Sequence, residues 1–192
     1  MSWTIFQTNM NRYMNAPTRI LSSDDFARKF AIEYIKTIHS GNDSISLASV
    51  KSDTDVVMKS KVESMIRLFS AALHLGKSSP DKFDLIQQLG MGIMSYWTGA
   101  VLNEFPIPII PAPGSTNNIM VVSNIVVNAG NWKSVAVSVP INSTDVFIQN
   151  FITTAQLHLQ TISGTIITTS IYPPLGAPAP GIIPWQGYIV PV

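Results

Sequence analysis

The chain has 192 residues, of which 46% are hydrophobic and only 12% are charged, and its formal net charge is +1. A net charge this close to zero provides no overall field that attracts nucleic acid or an anionic membrane, so we predict neither as a partner. Cysteine is absent, which excludes a disulfide framework and any thiolate metal site.

The first predicted element is a helix that begins at Ser22 or Ser23 and ends at Gly41. Either serine can cap the helix, and glycine commonly follows a helix C-terminus. The large apolar residues of this segment are spaced four apart, as on one face of a helix. They are Phe26, Phe30, Tyr34 and Ile38. The polar, serine-rich segment 42–55 predicts a loop.

Two further helices are predicted in the first half of the chain. The second covers about residues 56–75 and ends at Gly76. The third begins at Ser79 or Asp81 and runs without a charged residue from 85 to 103. That uncharged stretch is long enough to cross a bilayer, but its polar side chains and three glycines favour a helix buried in a protein core. We therefore predict no membrane span.

The composition changes sharply at Glu104–Phe105. Residues 106–192 contain only two charged side chains, those of Lys133 and Asp145, but eleven of the thirteen prolines. A free-standing domain of this size normally carries a charged surface that keeps it soluble. We therefore divide the chain into a mainly helical region, residues 1–104, and a charge-poor, proline-rich region, residues 105–192.

The second region is predicted to combine strands with one helix. Three segments are indicated as strands by their β-branched residues or by alternation of apolar and polar residues. They are 118–130, 133–140 and 165–172. Residues 142–164 have a helical periodicity, with Ser143 or Thr144 as the cap. The predicted fold class is α+β, with a helical N-terminal half and a charge-poor C-terminal half that contains strands and one helix.

The side chains that could perform chemistry are few and scattered. His39, His74 and His158 fall on separate predicted helices, and none has a second histidine four residues away, the spacing that places two metal ligands on one helix face. The second region offers almost no acids or bases. We therefore predict no catalytic residue, no metal and no cofactor, and a protein that is not an enzyme.

Two proline-rich segments, 105–115 and 173–192, are apolar rather than hydrophilic, unlike flexible linkers. Because backbone stiffened by proline loses little entropy on ordering, we predict that these segments, which we call the straps, lie over an apolar surface. That surface belongs to the same chain or to a neighbouring subunit, and we favour the neighbour, with Trp185 as the main anchor. The predicted interface residues are Phe105, Ile107, Ile109, Ile110, Trp132, Ile182, Ile183, Trp185 and Tyr188.

Three runs of the sequence carry a resemblance. They are SYWTGAVLNEFPIPIIPAPGSTNNI, FIQNFITTAQLHLQTISG and PAPGIIPWQGYIVP. In these runs and over most of its length, the chain resembles small structural proteins of contractile-tailed bacteriophages, particularly those of cyanobacteria. The resemblance implies a virion component of the neck, tail, baseplate or capsid accessory type, assembled in the host cytoplasm with other virion proteins and with copies of itself. It implies no functional residue.

A second hypothesis stands beside the structural role. Trp132, Trp185 and Tyr188 could grip a glycan or a peptide, which would make the chain a binding or host-recognition module. Binding of the purified protein to isolated virions or to their subunits would distinguish the two hypotheses.

Overall fold

The structure combines a helical body with a four-stranded antiparallel sheet. It is a computed structural model that describes residues 2–15, 22–39, 42–43, 55–78, 85–108, 120–136, 143–170, 179–185 and 189–190. The first half of the chain is mainly helical, and the second half supplies most of the strands. The chain is thus an α+β protein.

The described residues form six helices. Four lie in the first region: α1 (Trp3–Met14), α2 (Ser23–His39), α3 (Asp55–Ser78) and α4 (Leu85–Trp97). Two lie in the second region: α5 (Trp132–Val135), which is one turn long, and α6 (Thr144–Thr161).

The strands are β1 (Asn42–Asp43), β2 (Val101–Pro108), β3 (Met120–Asn128), β4 (Ser163–Ser170), β5 (Ala179–Trp185) and β6 (Ile189–Val190). The sheet has the order β2-β3-β4-β5, and all three of its pairings are antiparallel. β6 pairs with β1, which returns the C-terminal end of the described chain to the helical region. Strands β3 and β4 confirm the predictions over 118–130 and 165–172.

Side-chain caps fix the starts of α2 and α6. Ser22 Oγ accepts a hydrogen bond from the amide of Asp25 (3.1 Å), and Ser143 Oγ accepts one from the amide of Val146 (3.3 Å). The acidic residues in the first turn of each helix also interact favourably with the helix dipole. Both predicted helices are confirmed, and in each case the first of the two residues considered is the cap.

Helix α4 ends earlier than predicted. It stops at Trp97 because Gly99 adopts a left-handed φ of 63°, a conformation that ends helices and suits glycine. The amide of Gly99 then donates a hydrogen bond to the carbonyl oxygen of Val127 (3.0 Å), and the amide of Val127 donates one to the carbonyl oxygen of Ala100 (2.8 Å). This pairing leads directly into β2, so residues 101–103 are strand and not helix.

Three other elements differ from the predictions. Helix α1 has no counterpart among the predicted elements. Helix α3 continues through Gly76 to Ser78, since a glycine inside a helix costs only about 1 kcal/mol. The described part of the predicted strand 133–140 is the helical turn α5 and Ala136. Residues 137–140, and the predicted start of the third helix at 79–81, lie outside the described residues.

One aromatic core joins the two regions of the chain. The ring centroid of Phe30 lies 5.4 Å from that of Phe69 and 4.4 Å from that of Phe151. Phe6 stacks on Phe151, with 5.7 Å between the centroids and 19° between the planes. All four rings are buried. Because Phe151 belongs to α6 and the other three belong to α1–α3, the change of composition after Glu104 is not a boundary of the core.

Candidate functional site: the four-stranded sheet

The sheet is almost free of charge. Its four strands, VLNEFPIP, MVVSNIVVN, SGTIITTS and APGIIPW, contain one ionisable side chain, that of Glu104. They are instead rich in valine, isoleucine and threonine, the β-branched residues that favour strands. The register aligns four large aliphatic residues in one row across the sheet, with Leu102 opposite Ile125, Ile125 opposite Ile166, and Ile166 opposite Ile183.

The prolines of the sheet lie only on its two edge strands. Pro106 and Pro108 are in β2, and Pro180 and Pro184 are in β5, whereas the central strands β3 and β4 contain none. Proline has no amide hydrogen, so it is tolerated at an edge where its nitrogen faces away from the ladder. The same property deprives the edge of donors that another strand could use. Both edges of this sheet are therefore poorly suited to strand addition.

One end of the sheet is attached to the helical body, and we call it the near end. It consists of the start of β2, the end of β3, the start of β4 and the end of β5. Here Leu102, Val127 and Ile162 are buried in the common core. The near end of the sheet is therefore continuous with the helical body.

Both straps contribute to the opposite end of the sheet, the far end. β2 leads into β3 through residues 109–119, and β4 leads into β5 through residues 171–178. Because both hairpins are antiparallel, the strand ends that these segments connect lie at the same end of the sheet. The two connecting segments are outside the described residues and contain five prolines. Each strap thus includes part of the connection of one hairpin, and the two hairpins turn at the same end of the sheet.

The structure assigns most of the predicted interface residues to the edge strands. Phe105 and Ile107 lie in β2, whereas Ile182, Ile183 and Trp185 lie in β5. The structure describes the backbone of these residues but not their side chains. Ile109, Ile110 and Tyr188 lie outside the described residues.

The second strap pairs with its own chain. β5 forms an antiparallel ladder with β4, in which Trp185 is opposite Gly164. β6 pairs with β1, in which Val190 is opposite Asn42. For residues 179–185 and 189–190, the backbone partner is therefore this chain. The favoured contact of the second strap's side chains with a neighbouring subunit stays a prediction.

Trp132 is not a surface residue, so its inclusion in the predicted interface is wrong. Its side chain is fully buried, and its indole Nε1 donates a hydrogen bond to the carbonyl oxygen of Ile86 (2.8 Å). The ring packs 5.7 Å from Phe151 and 5.3 Å from His158, measured between centroids. Trp132 follows a predicted turn, and the local sequence does not indicate that its side chain is buried.

The two glycines of the Gly-Met-Gly run at 90–92 have packing roles that sequence reasoning missed. A Cβ atom on Gly90 would lie 2.0 Å from Cδ1 of Trp132, and one on Gly92 would lie 2.7 Å from Cδ1 of Phe69. Both distances are far too short for carbon atoms. The glycines therefore allow α4 to approach aromatic rings from both regions of the chain.

The three histidines remain apart, on α2, α3 and α6. His39 Nε2 forms a hydrogen bond with the hydroxyl of Tyr96 (2.7 Å), and burial lowers the pKa of His39. His74 is exposed, with Nε2 3.6 Å from a carboxylate oxygen of Asp24. Across the described ranges, no group of three histidine or carboxylate side chains is arranged to hold a metal ion.

His158 is held in the interior of the molecule. Its Nε2 lies 2.5 Å from the carbonyl oxygen of Ala129, and because a carbonyl only accepts, Nε2 carries the proton. Nδ1 is then a bare acceptor, and it has no hydrogen-bond partner among the described residues. Burial lowers the pKa of His158 to about 4. The imidazole is therefore neutral at pH 7 and anchors the turn before α5 to α6.

None of the helices in the described ranges is long and apolar enough to cross a membrane. Comparison of the chain with protein-family models, with curated proteins and with solved structures finds no match.

Proposed function

We propose that the chain is a non-enzymatic structural subunit of a tailed-phage virion, held among its neighbours by apolar contacts of the β2–β5 sheet. The observation that carries this proposal is the composition of the sheet, whose four strands contain one ionisable residue. A surface depleted of charge is characteristic of the centre of an obligate interface. The sequence resemblance supports the particular kind of assembly, in the neck, tail, baseplate or capsid accessory position.

The helical body, unlike the sheet, carries charged side chains on its surface. Arg28 and Glu63 form a bidentate ion pair between α2 and α3, with N···O distances of 3.0 and 3.3 Å. The ammonium of Lys29 lies 4.2 Å above the ring of Tyr13. Such exposed charged contacts keep a surface in water. The body would therefore face solvent while the sheet attaches the subunit.

The alternative role in glycan or peptide recognition has less support. It relied on three aromatic residues, and Trp132 is in the core. The remaining two are Trp185, whose side chain is not described, and Tyr188, which lies outside the described residues. No specific observation favours this role over the structural one.

Localisation in purified particles tests the proposal. We expect mass spectrometry of purified virions to detect the chain at a fixed ratio to the other structural proteins. When variants of the chain are supplied during particle assembly, Ile167→Asp in β4 should be incorporated less than the wild type. Ile5→Asp, at a position on α1 that is 46% exposed, should be incorporated as well as the wild type. Absence of the chain from purified particles would refute the proposed function.

A further inference from the structure

We infer that protonation of His158 opens the junction at which the end of β3 is joined to the helices α4 and α6, while the rest of the helical body stays folded. The junction consists of Ala129, Gly130, Trp132, His158 and Thr161. The inference goes beyond the proposed function and does not depend on it, because it concerns a conformational change within one chain.

The turn after β3 is held against the last turn of α6. His158 Nε2 donates its hydrogen bond to the carbonyl oxygen of Ala129, and Thr161 Oγ1 donates one to the carbonyl oxygen of His158 (2.8 Å). A Cβ atom on Gly130 would lie 3.2 Å from the same threonine hydroxyl oxygen. The two turns are thus in close contact, and the imidazole of His158 provides the side-chain hydrogen bond between them.

Trp132 extends this contact to α4. Its ring lies 5.3 Å from that of His158, fills the space beside Gly90 and donates a hydrogen bond to the carbonyl oxygen of Ile86. Helix α5 has only four residues, and so short a helix has little stability of its own. Its position therefore depends on Trp132, and movement of His158 would release both.

The junction accommodates a neutral imidazole and not a charged one. A protonated ring carries a second N–H group, at Nδ1, and Nδ1 of His158 has no hydrogen-bond partner among the described residues. The side chain is fully buried, so water does not solvate the added charge. Because an unpaired buried charge is strongly unfavourable, protonation favours a state in which the ring reaches solvent.

No carboxylate from the packed elements is placed to compensate that charge. In the described part of the chain, α1, α4, α5 and β6 pack against α6 and contain no aspartate or glutamate. Their charged side chains are Arg12 and Lys133, both exposed and of the same sign as an imidazolium. Their other titratable groups are the phenols of Tyr13 and Tyr96.

The remaining carboxylates near α6 are engaged or distant. Helix α2 contacts α6 through Phe30 and Phe151, and its buried carboxylate, Glu33, accepts hydrogen bonds from Asn9 and Lys36. The other two acids of α2, Asp24 and Asp25, are exposed in its first turn. Asp145 is exposed in the first turn of α6, at the end of the helix opposite to His158. A charged His158 is therefore left without a countercharge.

The size of the effect follows from the two protonation equilibria. An exposed histidine has a pKa of about 6.5, whereas burial lowers the pKa of His158 to about 4. If the ring is exposed in the open state, the equilibrium constant for opening rises about a hundredfold between pH 7 and pH 4.

Hydrogen exchange of the indole Nε1–H groups, measured by NMR on the full-length chain, tests the inference. Trp132 Nε1–H is bonded to a carbonyl oxygen within the junction, whereas Trp97 Nε1–H is bonded to the hydroxyl of Tyr34 (2.8 Å) in the helical body. Each rate is divided by that of a free indole at the same pH. We expect the protection of Trp132 to fall about a hundredfold between pH 7 and pH 4, and that of Trp97 to fall by much less.

Two variants assign the effect to one histidine. His158→Gln keeps an amide donor for Ala129 but does not titrate, so the acid-dependent loss of Trp132 protection should disappear. His39→Gln, at the other buried histidine whose pKa is lowered, is the matched control and should retain the loss. If His158→Gln does not fold at pH 7, the wild type is used alone, and the loss should level off at the pH where the ring resonances of His158 titrate.

Three results would overturn the inference. Constant protection of Trp132 would show that acid does not open the junction. Equal losses at Trp97 and Trp132 would show that the whole chain unfolds. A loss that persists in folded His158→Gln, or that does not follow the titration of His158, would assign the opening to another group.

Discussion

Gly90 and Trp132 are in direct contact across the two regions of the chain: a Cβ atom added to Gly90 would lie 2.0 Å from Cδ1 of the indole. The same indole donates its Nε1 hydrogen bond to the carbonyl oxygen of Ile86, one turn earlier on α4. Trp132, from the charge-poor region, thus occupies the space beside Gly90 in the helical region, which any side chain at position 90 would fill. This contact couples the folding of the two regions.

Gly90→Ala is therefore expected to destabilise the protein although alanine is the better helix former. The new methyl group overlaps a fully buried ring, and overpacking of this kind costs about 1–3 kcal/mol. Chemical denaturation followed by tryptophan fluorescence measures the change in the free energy of unfolding. Met91→Ala on the same helix, at a position that is 61% exposed, is the control and should change the stability by less than about 0.5 kcal/mol. Equal stability of Gly90→Ala and the wild type would contradict the close packing.

The attachment of α1 to α2 depends on a buried carboxylate. Glu33 is 3% exposed, and its Oε2 accepts a hydrogen bond from Asn9 Nδ2 at 2.7 Å. Asn9→Ala would leave a buried charged oxygen without this donor, and we expect a loss of about 1–3 kcal/mol. Lys36, whose half-exposed ammonium lies 3.2 Å from the other oxygen, is the matched control. Lys36→Ala should cost less than about 1 kcal/mol, and the reverse order of the two costs would refute this assignment.

Stability is expected to fall as the pH is lowered through the range between about 6.5 and about 4. The ordinary pKa of histidine is about 6.5, whereas burial lowers the pKa of His158 to about 4. In this window the unfolded chain takes up a proton that the folded chain does not, so unfolding becomes easier as the pH decreases. The loss attributable to His158 is at most about 3 kcal/mol. The lowered pKa of His39 acts in the same direction.

Denaturation curves recorded at pH 7, 5.5 and 4.5 measure this dependence. In His158→Gln the amide can still donate to the carbonyl oxygen of Ala129 but does not titrate, so the slope of stability against pH should be smaller than in the wild type. An unchanged slope would show that His158 is accessible to protons in the folded state.

The elements that the sequence predicts well are those whose pattern is long and has an unambiguous boundary signal. Helix α6 has a capping serine at 143 and a periodic apolar face, and β3 is rich in β-branched residues. Helix α1 has neither an acidic residue in its first turn nor a side-chain cap, so it was not predicted. The end of α4 was placed too late because the left-handed turn at Gly99 depends on a long-range pairing with Val127, which no local pattern reveals.

The candidate site was predicted only in part, because proline has two different meanings in a strand. Because proline lacks an amide hydrogen, it is excluded from central strands, and for this reason no strand is predicted in either strap. The same property is compatible with an edge strand. Whether a β-rich segment is central or at an edge depends on the strand order, which is a property of the whole fold. Trp132 illustrates the same limit: its burial depends on the space at Gly90, forty-two positions earlier in the chain.

The last prediction concerns Trp185, at the near end of β5. The register places Trp185 opposite Gly164, and a glycine in a strand leaves space that an aromatic residue on the adjacent strand commonly fills. Trp185→Ala removes the largest apolar side chain of the second strap, and at about 25 cal/mol per Å² the burial of a tryptophan side chain is worth several kcal/mol. We expect this substitution to reduce incorporation into virions more than Arg28→Ala does, since the exposed ion pair of Arg28 with Glu63 is worth about 1 kcal/mol or less. Quantitative mass spectrometry of particles assembled with each variant measures the two effects. Similar incorporation of both variants would show that Trp185 does not anchor the strap.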